Sequence, residues 1–450
     1  MDTTNNKNLV FPNIPEISDK TDTPINRPWV QGWSVTKEEL LETLPDGTFT
    51  MSQLDISISN DEYVEAVNQG IEDADIQSEE NIRELTKRAK KHYGLACEIG
   101  CAHCFECQTK TINKLMTVEE IFNMLLEAKK LGLKNVKFLG PGELMHNPRL
   151  FEILDFFEAN DINLAIFTKG LILGSDERTQ RIFGISASEL CNKLANYRNV
   201  SILLSLTSAD KTTELKRTMA KNASDLFETR NKAFENLAAT GLNKNNGETG
   251  QRLALICAPV LEDNIDEALR IFKWGMERNI PVVIAPTMIS GKGCEMQERR
   301  NAEFKQVKLV DLWAKIYVWM IRKKIFTLTQ IEEEGISPYP GYACNQYIAG
   351  MLVRKDGQVQ ACPGNENPKY CRDVRKQPLK DIWKNSLGYK LREQLIRAGR
   401  IQITQPCYAK SEEIKTPDGV IVKKGCGAFP QDFYAKVMVR IREKLKEKLE

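Results

Sequence analysis

The chain has 450 residues, 42% apolar and 28% charged, with twelve cysteines and a formal net charge of +2. That length suffices for two or three domains with a full core, and so balanced a charge leaves no electrostatic footprint for nucleic acid. The opening MDTTNNKNLVFPN lacks a basic region followed by an apolar run, so no signal peptide is read, and no stretch of about 18 apolar residues exists to cross a membrane.

Cysteines without a secretory signal favour metal sites over disulfides, so a cytoplasmic, oxygen-sensitive protein is expected. Residues 1–47 are polar and punctuated by Pro12, Pro15, Pro24 and Pro28, with one short helical candidate at 36–43. They read as an extension that wraps or covers something. TFTMSQLDISIS (48–59) carries β-type residues and is a candidate first strand, whereas 61–93 is charged and helical in pattern.

Four thiols then crowd into CEIGCAHCFEC, spaced Cys97-x3-Cys101-x2-Cys104-x2-Cys107. Zinc would take four thiolates in a closed tetrahedron. An iron–sulfur cluster is also held by thiolates, and three of them leave one iron without a protein ligand. The spacing of Cys97, Cys101 and Cys104 resembles the signature of the radical S-adenosylmethionine (SAM) superfamily. The resemblance implies a [4Fe–4S] cluster on these three cysteines, with SAM chelating the open iron through its amino and carboxylate groups. It further implies that one electron, from an external donor such as flavodoxin or ferredoxin, cleaves SAM to methionine and a 5′-deoxyadenosyl radical that abstracts hydrogen from a substrate. The sequence departs from that pattern twice. His103 stands where a larger aromatic is usual, and Cys107 opens a second, ferredoxin-like frame.

Beyond Cys107 the pattern becomes regular. Thr117 and Glu120 form a capping box for a helix with Ile121, Leu125 and Ala128 on one face, ended by Gly132. NVKFL (135–139) is an apolar strand, and Asn147 with Pro148 is expected to start the next helix. INLAIFT (162–168) is a strand, Ser186 caps a helix reaching Tyr197, and VSILLSLT (200–207) is a strand. A helix near 223–240, the strand RLALICAPV (252–260), a helix at 265–279 and the strand PVVIAP (281–286) complete the series. Near-continuous apolar strands alternating with amphipathic helices mean a parallel sheet covered by helices. With the candidate first strand there are six strand–helix units. Their pattern permits a doubly wound sheet as well as a barrel, and the resemblance favours the partial (β/α)6 barrel of radical SAM enzymes.

Chemistry in such folds sits beyond the carboxyl ends of the strands. Gly140-Pro141-Gly142-Glu143 directly follows NVKFL, with two glycines that let backbone approach a ligand and one carboxylate to accept from it. The resemblance aligns it with a Gly-Gly-Glu motif that binds the amino group of SAM, Pro141 replacing the second glycine. Other strand ends supply Thr168 with Lys169, then Ser205, Thr207 and Ser208. By the same resemblance Thr168 and Ser205 join the SAM site, with Ser205 at the ribose. Cys191 and Cys257 read as buried small hydrophobes, and Cys294 is isolated. Helix 303–324 is apolar nearly all round, as expected of a helix between two packed units.

A second cysteine group follows Pro338-Tyr339-Pro340-Gly341. Cys344 and Cys362 flank a β-hairpin turning at Lys355-Asp356-Gly357, so its ends can meet at one metal. This resembles the SPASM and twitch extensions of radical SAM enzymes, which implies one auxiliary [4Fe–4S] cluster on Cys344, Cys362, Cys407 and Cys426, with Cys371 spare. A zinc ribbon on the same sulfurs is the alternative. Residues 379–383 and 391–395 resemble the linker helix of those extensions. The terminal helix has Phe433, Val437, Ile441 and Leu445 in one stripe, with a solvated basic face.

The expected fold is thus α/β, a partial barrel with a small C-terminal β-hairpin/helix iron–sulfur domain. Its parts are an extension (1–93), the barrel (94–325), the auxiliary domain (326–430) and a terminal helix (431–450). The expected activity is a radical SAM modification of a peptide or protein. The alternatives are a small-molecule dehydrogenase or mutase, and a non-enzymatic zinc or electron-transfer protein.

Overall fold

Six short strands rich in β-branched and aliphatic residues run parallel and side by side in sequence order: β1 (Gln53–Ile56), β2 (Asn135–Phe138), β3 (Asn163–Thr168), β4 (Val200–Ser205), β5 (Leu253–Val260) and β6 (Val282–Pro286). The structure is a computed structural model. It describes residues 8–17, 30–72, 80, 81, 84, 97–104, 113–140, 142–218, 224–244, 250–286, 302–341, 346–363, 372–399, 413–415, 421–423 and 432–447.

Because successive side chains point to opposite faces of a strand, the sheet divides its residues between two cores. Leu54, Ile56, Val136, Phe138, Leu164, Ile166, Ile202 and Leu204 face outward into one continuous core shared with the surrounding helices. Ala165, Leu203, Ala254 and Val283 face inward with Val30, and half-buried Trp33, Phe167, Ile256 and Tyr339 pack on them. The inner set fills the lumen of a partial (β/α)6 barrel. Asp55 and Lys137 also turn inward, directly opposite each other on β1 and β2, and form a buried ion pair at 3.5 Å.

The candidate first strand lies near the middle of the sheet, between β2 and a seventh strand, β7 (Gly350–Val353). β7 pairs parallel to β1. The expected hairpin, β7 with β8 (Gln358–Gln360), therefore extends the barrel sheet, and β9 (Arg372–Asp373) closes its edge. The junction requires a glycine, because a Cβ on Gly350 would sit 1.5 Å from the carbonyl oxygen of Gln53. A separate antiparallel pair joins Glu413–Lys415 to Ile421–Lys423.

Two helices start at the expected caps: Thr117, in the expected box with Glu120, before Val118–Lys130, and Ser186 before Ala187–Asn196, where Glu189 completes a second box. One start differs. The helix expected to open at Asn147 spans Leu150–Ala159 behind Arg149, since a 3-10 turn, Leu144–His146, leads the backbone out of Glu143 first. Asn147 instead accepts the Arg149 N–H at 2.9 Å and donates to the Ser59 carbonyl at 3.3 Å.

The extension covers two places. Residues 8–17 lie on the outer helices, with the Val10 N–H donating to the Ala209 carbonyl and Phe11 stacked 5.5 Å from Trp274. Residues 30–33 lie across the amino ends of the strands. Val30 bridges Gln251, the Gln31 amide donates to Asn163 Oδ1 at 3.0 Å and to the Arg198 carbonyl at 2.9 Å, and Gln53 donates to the Trp33 carbonyl at 2.8 Å. Helix Ala302–Arg322 packs on the terminal helix Phe433–Lys446 through Trp313 and Phe433, 5.8 Å apart. Among the described residues, no helix is long and apolar enough to cross a membrane.

Candidate active site

At the carboxyl end of β2, Gly140 and Gly142 both adopt positive φ (94° and 93°), a conformation that favours glycine. The turn delivers Glu143 inward, where it is buried. Its Oε1 accepts the Lys169 backbone N–H at 2.8 Å and its Oε2 accepts from the Thr168 hydroxyl. The Lys169 ammonium in turn donates to Ser205 Oγ at 2.7 Å. One polar line thus runs across the ends of β2, β3 and β4 and uses four of the residues singled out from the sequence. Burial pushes the Glu143 carboxyl up to about 7, against the lowering effect of the Thr168 and Lys169 hydrogen bonds. A carboxyl poised this way gains from any ligand that brings a donor or positive charge.

The cysteine loop lines the same space. Ile99 is buried against Leu171 and Leu226, with Cys97 and Cys101 packed beside it. The Ala102 N–H donates to the Arg217 carbonyl at 3.1 Å, and the Cys104 N–H to the Cys101 carbonyl at 3.2 Å. Glu98, between the first thiol and Ile99, pairs with Arg178 at 3.2 Å, and Arg178 also grips Asp225 at 2.7 Å. Cys97, Cys101 and Cys104 are half-buried thiols outside any disulfide.

All three line a cavity of about 270 Å³ together with Gly140, Gly142, Glu143, Thr168 and Ser205. The donor set fits an iron–sulfur cluster: three cysteines from one loop, lining the cavity that Glu143 also lines. Among the described residues no three Cys, His, Asp or Glu side chains converge as ligands for a single ion; the common cavity is what unites the thiols.

The remaining wall is apolar or aromatic, and its residues carry no motif. Trp33 rises from the residues that cover the amino ends and stacks 5.3 Å from Phe167, with Tyr339 edge-on at 6.0 Å. Tyr339 is set by the long helix behind it. The Trp313 indole donates to the Ser337 carbonyl at 3.2 Å, the Tyr317 hydroxyl accepts the Ser337 N–H at 3.2 Å, and Ser337 Oγ accepts the Tyr339 N–H at 3.2 Å. Sequence reasoning passed over Trp33, Asp55 and Lys137. The available signal was the period of two in NVKF, which puts Lys137 on the face opposite Val136 and Phe138.

Cys362 is buried beside Val35, Ile348 and Ala349, and the next residue, Pro363, reaches the cavity wall. Cys107, Cys344, Cys371, Cys407 and Cys426 lie outside the described residues, as do Pro141 and Cys294. Cys191 and Cys257 are buried, and burial pushes the Cys191 thiol up to about 12, which suits small hydrophobes rather than ligands.

Residues 92–293 match the Radical SAM superfamily. A comparison with curated proteins returned no match. Among solved structures, native anSMEcpe with bound AdoMet is similar in fold: 11% identity over 88% of this protein and 97% of that one, TM-score 0.53. Streptococcus suis SuiB bound to precursor peptide SuiA aligns with 14% identity over 76% of this protein and 67% of that one, TM-score 0.47.

Proposed function

We propose that this protein, an enzyme of the radical SAM superfamily through its residues 92–293, cleaves SAM reductively and uses the resulting radical to modify a peptide or protein. The observation that carries the reading is the shared cavity, which Cys97, Cys101 and Cys104 line together with Glu143, Thr168 and Ser205. The non-enzymatic metal-protein alternative gives way to the superfamily match.

Cys97, Cys101 and Cys104 would hold a [4Fe–4S] cluster, which when bound supplies the electron that splits SAM into methionine and a 5′-deoxyadenosyl radical. Gly140 and Gly142 turn the backbone so that Glu143 would accept from the SAM amino group. Thr168 Oγ1 and the Lys169 N–H fix the two carboxylate oxygens before the ligand arrives. Ser205, at the end of β4, would meet a ribose hydroxyl, and Lys169 would offer a cation to the SAM carboxylate. The apolar wall beyond them excludes water, which protects a reactive intermediate.

An auxiliary [4Fe–4S] cluster on Cys344, Cys362, Cys407 and Cys426 is part of the proposal. Two features support it: Cys362 follows β8 closely, and the pair Glu413–Lys415 with Ile421–Lys423 turns the backbone around between Cys407 and Cys426. The preference for a peptide rests on the likeness of this hairpin region to SPASM and twitch extensions. The electron would come from a flavodoxin- or ferredoxin-like donor in a reducing cytoplasm.

The test is anaerobic reconstitution, dithionite reduction and assay for 5′-deoxyadenosine with added SAM. About eight irons per protein with 5′-deoxyadenosine release is expected, falling to about four irons and no release when Cys97, Cys101 and Cys104 are changed to Ala. Stoichiometric zinc with no SAM cleavage would overturn the reading.

A further inference from the structure

Once the cysteine loop and the polar line at the strand ends are set aside, the cavity wall is made of Trp33, Phe167, Leu203, Ile256, Val283, Tyr339 and further apolar residues and prolines. Among the described residues, no carboxylate, ammonium or guanidinium belongs to that part of the wall. A charged or heavily hydroxylated substrate group entering it would lose its water and find no replacement partner, whereas an apolar group would lose nothing. One charged pair does lie near. Lys137 holds its ammonium 5.2 Å from the Trp33 ring centre and is paired with Asp55. Neither residue reaches the cavity, and Trp33 stands between. The indole is fixed there by its own backbone, since its carbonyl and that of Gly32 both accept from the Gln53 amide. Gly32 is itself pressed on Ala165, where a Cβ would come within 3.3 Å.

We propose that the chamber facing the radical takes an uncharged apolar side chain, aliphatic or aromatic, and that Trp33 determines this selectivity by screening the Asp55–Lys137 pair from it. The proposal rests on the radical SAM reading and narrows its substrate to peptides presenting such a residue. It speaks against polar small molecules such as aminosugars.

The experiment uses the reconstituted 450-residue protein with SAM and dithionite. The probes are blocked tripeptide amides, acetyl-Gly-X-Gly-amide, where X is Leu, Val, Phe, Lys or Glu deuterated on its side-chain carbons. In a productive encounter one carbon–deuterium bond of residue X breaks homolytically. The deuterium ends in 5′-deoxyadenosine, the carbon radical stays on the probe, and the single electron consumed comes from dithionite. The readout is deuterium in 5′-deoxyadenosine by mass spectrometry.

Label from at least one of Leu, Val and Phe is expected to exceed that from Lys and Glu by at least ~10-fold. Trp33→Ala uncovers Lys137, so label from the Glu probe should rise to the level of the apolar ones. Trp33→Phe, the gentler change should Trp33→Ala fail to fold, keeps the screen and the apolar preference. Equal or greater label from Lys or Glu with the unaltered protein overturns the proposal. So does 5′-deoxyadenosine formed with no label from any apolar probe, which leaves the radical SAM reading standing. Absence of 5′-deoxyadenosine with and without every probe overturns that reading, and the proposal with it.

Discussion

At their amino ends, β1 to β5 are tied together by side-chain amides and a guanidinium. Gln31 bonds Asn163, Asn163 bonds Asn135 at 3.0 Å, Gln53 bonds the Trp33 carbonyl, and Arg252 donates to the Val200 and Ala195 carbonyls at 2.8 and 3.1 Å. At the carboxyl ends of β2 to β4 the polar groups instead face a cavity, and one of them, Glu143, is held where burial opposes its charge. The first end is built for stability and the second for a ligand. Substitutions at the two ends should therefore fail in different ways: loss of folding free energy at one, loss of SAM-dependent chemistry at the other.

The largest stability effect is expected at Arg392, on the amino-end side of β1. This guanidinium is fully buried and donates to four carbonyls of the extension and its junction with β1: Leu40 at 2.6 Å, Thr50 at 2.7 Å, Glu39 at 3.2 Å and Glu42 at 3.3 Å. It also lies 4.9 Å from the Phe49 ring centre. Arg392→Ala leaves those acceptors and a side-chain-sized hole, at a cost of about 4 kcal/mol in chemical denaturation. A loss under about 1 kcal/mol would mean that the acceptors find water and that the clamp is dispensable.

Glu143→Ala is the corresponding break at the other end. Removing one partner of a buried charged contact costs about 2–5 kcal/mol, so 5′-deoxyadenosine formation should fall at least ~30-fold. Stability at pH 8 should not fall with it, because the deleted carboxylate is one that burial disfavours. Parallel loss of both quantities would erase the contrast between the ends.

What could be read in advance follows the same division. The parallel sheet was legible because β3, β4 and β5 are apolar on both faces, and the cysteine loop because its spacing is local. The helix starts at Thr117 and Ser186 were legible because a capping box is complete within four residues. Contacts between residues far apart in sequence were not. Lys137 in β2 acquires its meaning only when register puts it opposite Asp55. Trp33 sits in a proline-rich extension with no periodicity, and its place in the lumen depends on Gln53, Gly32 and Ala165 together. Gly350 gave no hint that β7 would pass so close to Gln53. The Asn147 helix start failed for a local reason, a competing 3-10 turn that aims Glu143.

The raised Glu143 carboxyl sharpens the contrast through pH. Its value moves from an ordinary 4.5 to about 7, so the folded protein without ligand holds this proton where the unfolded protein has lost it. The favourable share is complete below pH 4.5 and disappears as pH rises through 7, a change of about 3 kcal/mol. An amino donor from SAM favours the carboxylate, so binding below pH 7 must expel the proton. SAM should bind roughly eightfold more weakly at pH 6 than at pH 7.5, by equilibrium dialysis with the reconstituted protein. Glu143→Gln should flatten that dependence, and an unchanged slope would assign the titration to another group.

The smallest effect is expected at Gln53, which pins the Trp33 backbone at the amino-end floor. Its amide is the hydrogen-bond donor to the Trp33 carbonyl at 2.8 Å and to that of Gly32 at 3.4 Å. Gln53→Ala removes a buried donor from two acceptors and should cost about 1 kcal/mol in denaturant titration. Substrate-free 5′-deoxyadenosine formation should stay within about twofold, because no atom of Gln53 lines the cavity and an unpinned floor residue does not touch the strand-end groups. The deuterium preference among tripeptide probes should nonetheless narrow, since the Trp33 and Gly32 carbonyls would lose Gln53, and Trp33 would keep its N–H on the Val30 carbonyl and its ring packing on Phe167 and Tyr339. A variant that loses stability but keeps the full preference would show that these remaining contacts fix the indole; one that keeps stability and loses the preference would make Gln53 a specificity residue acting through Trp33.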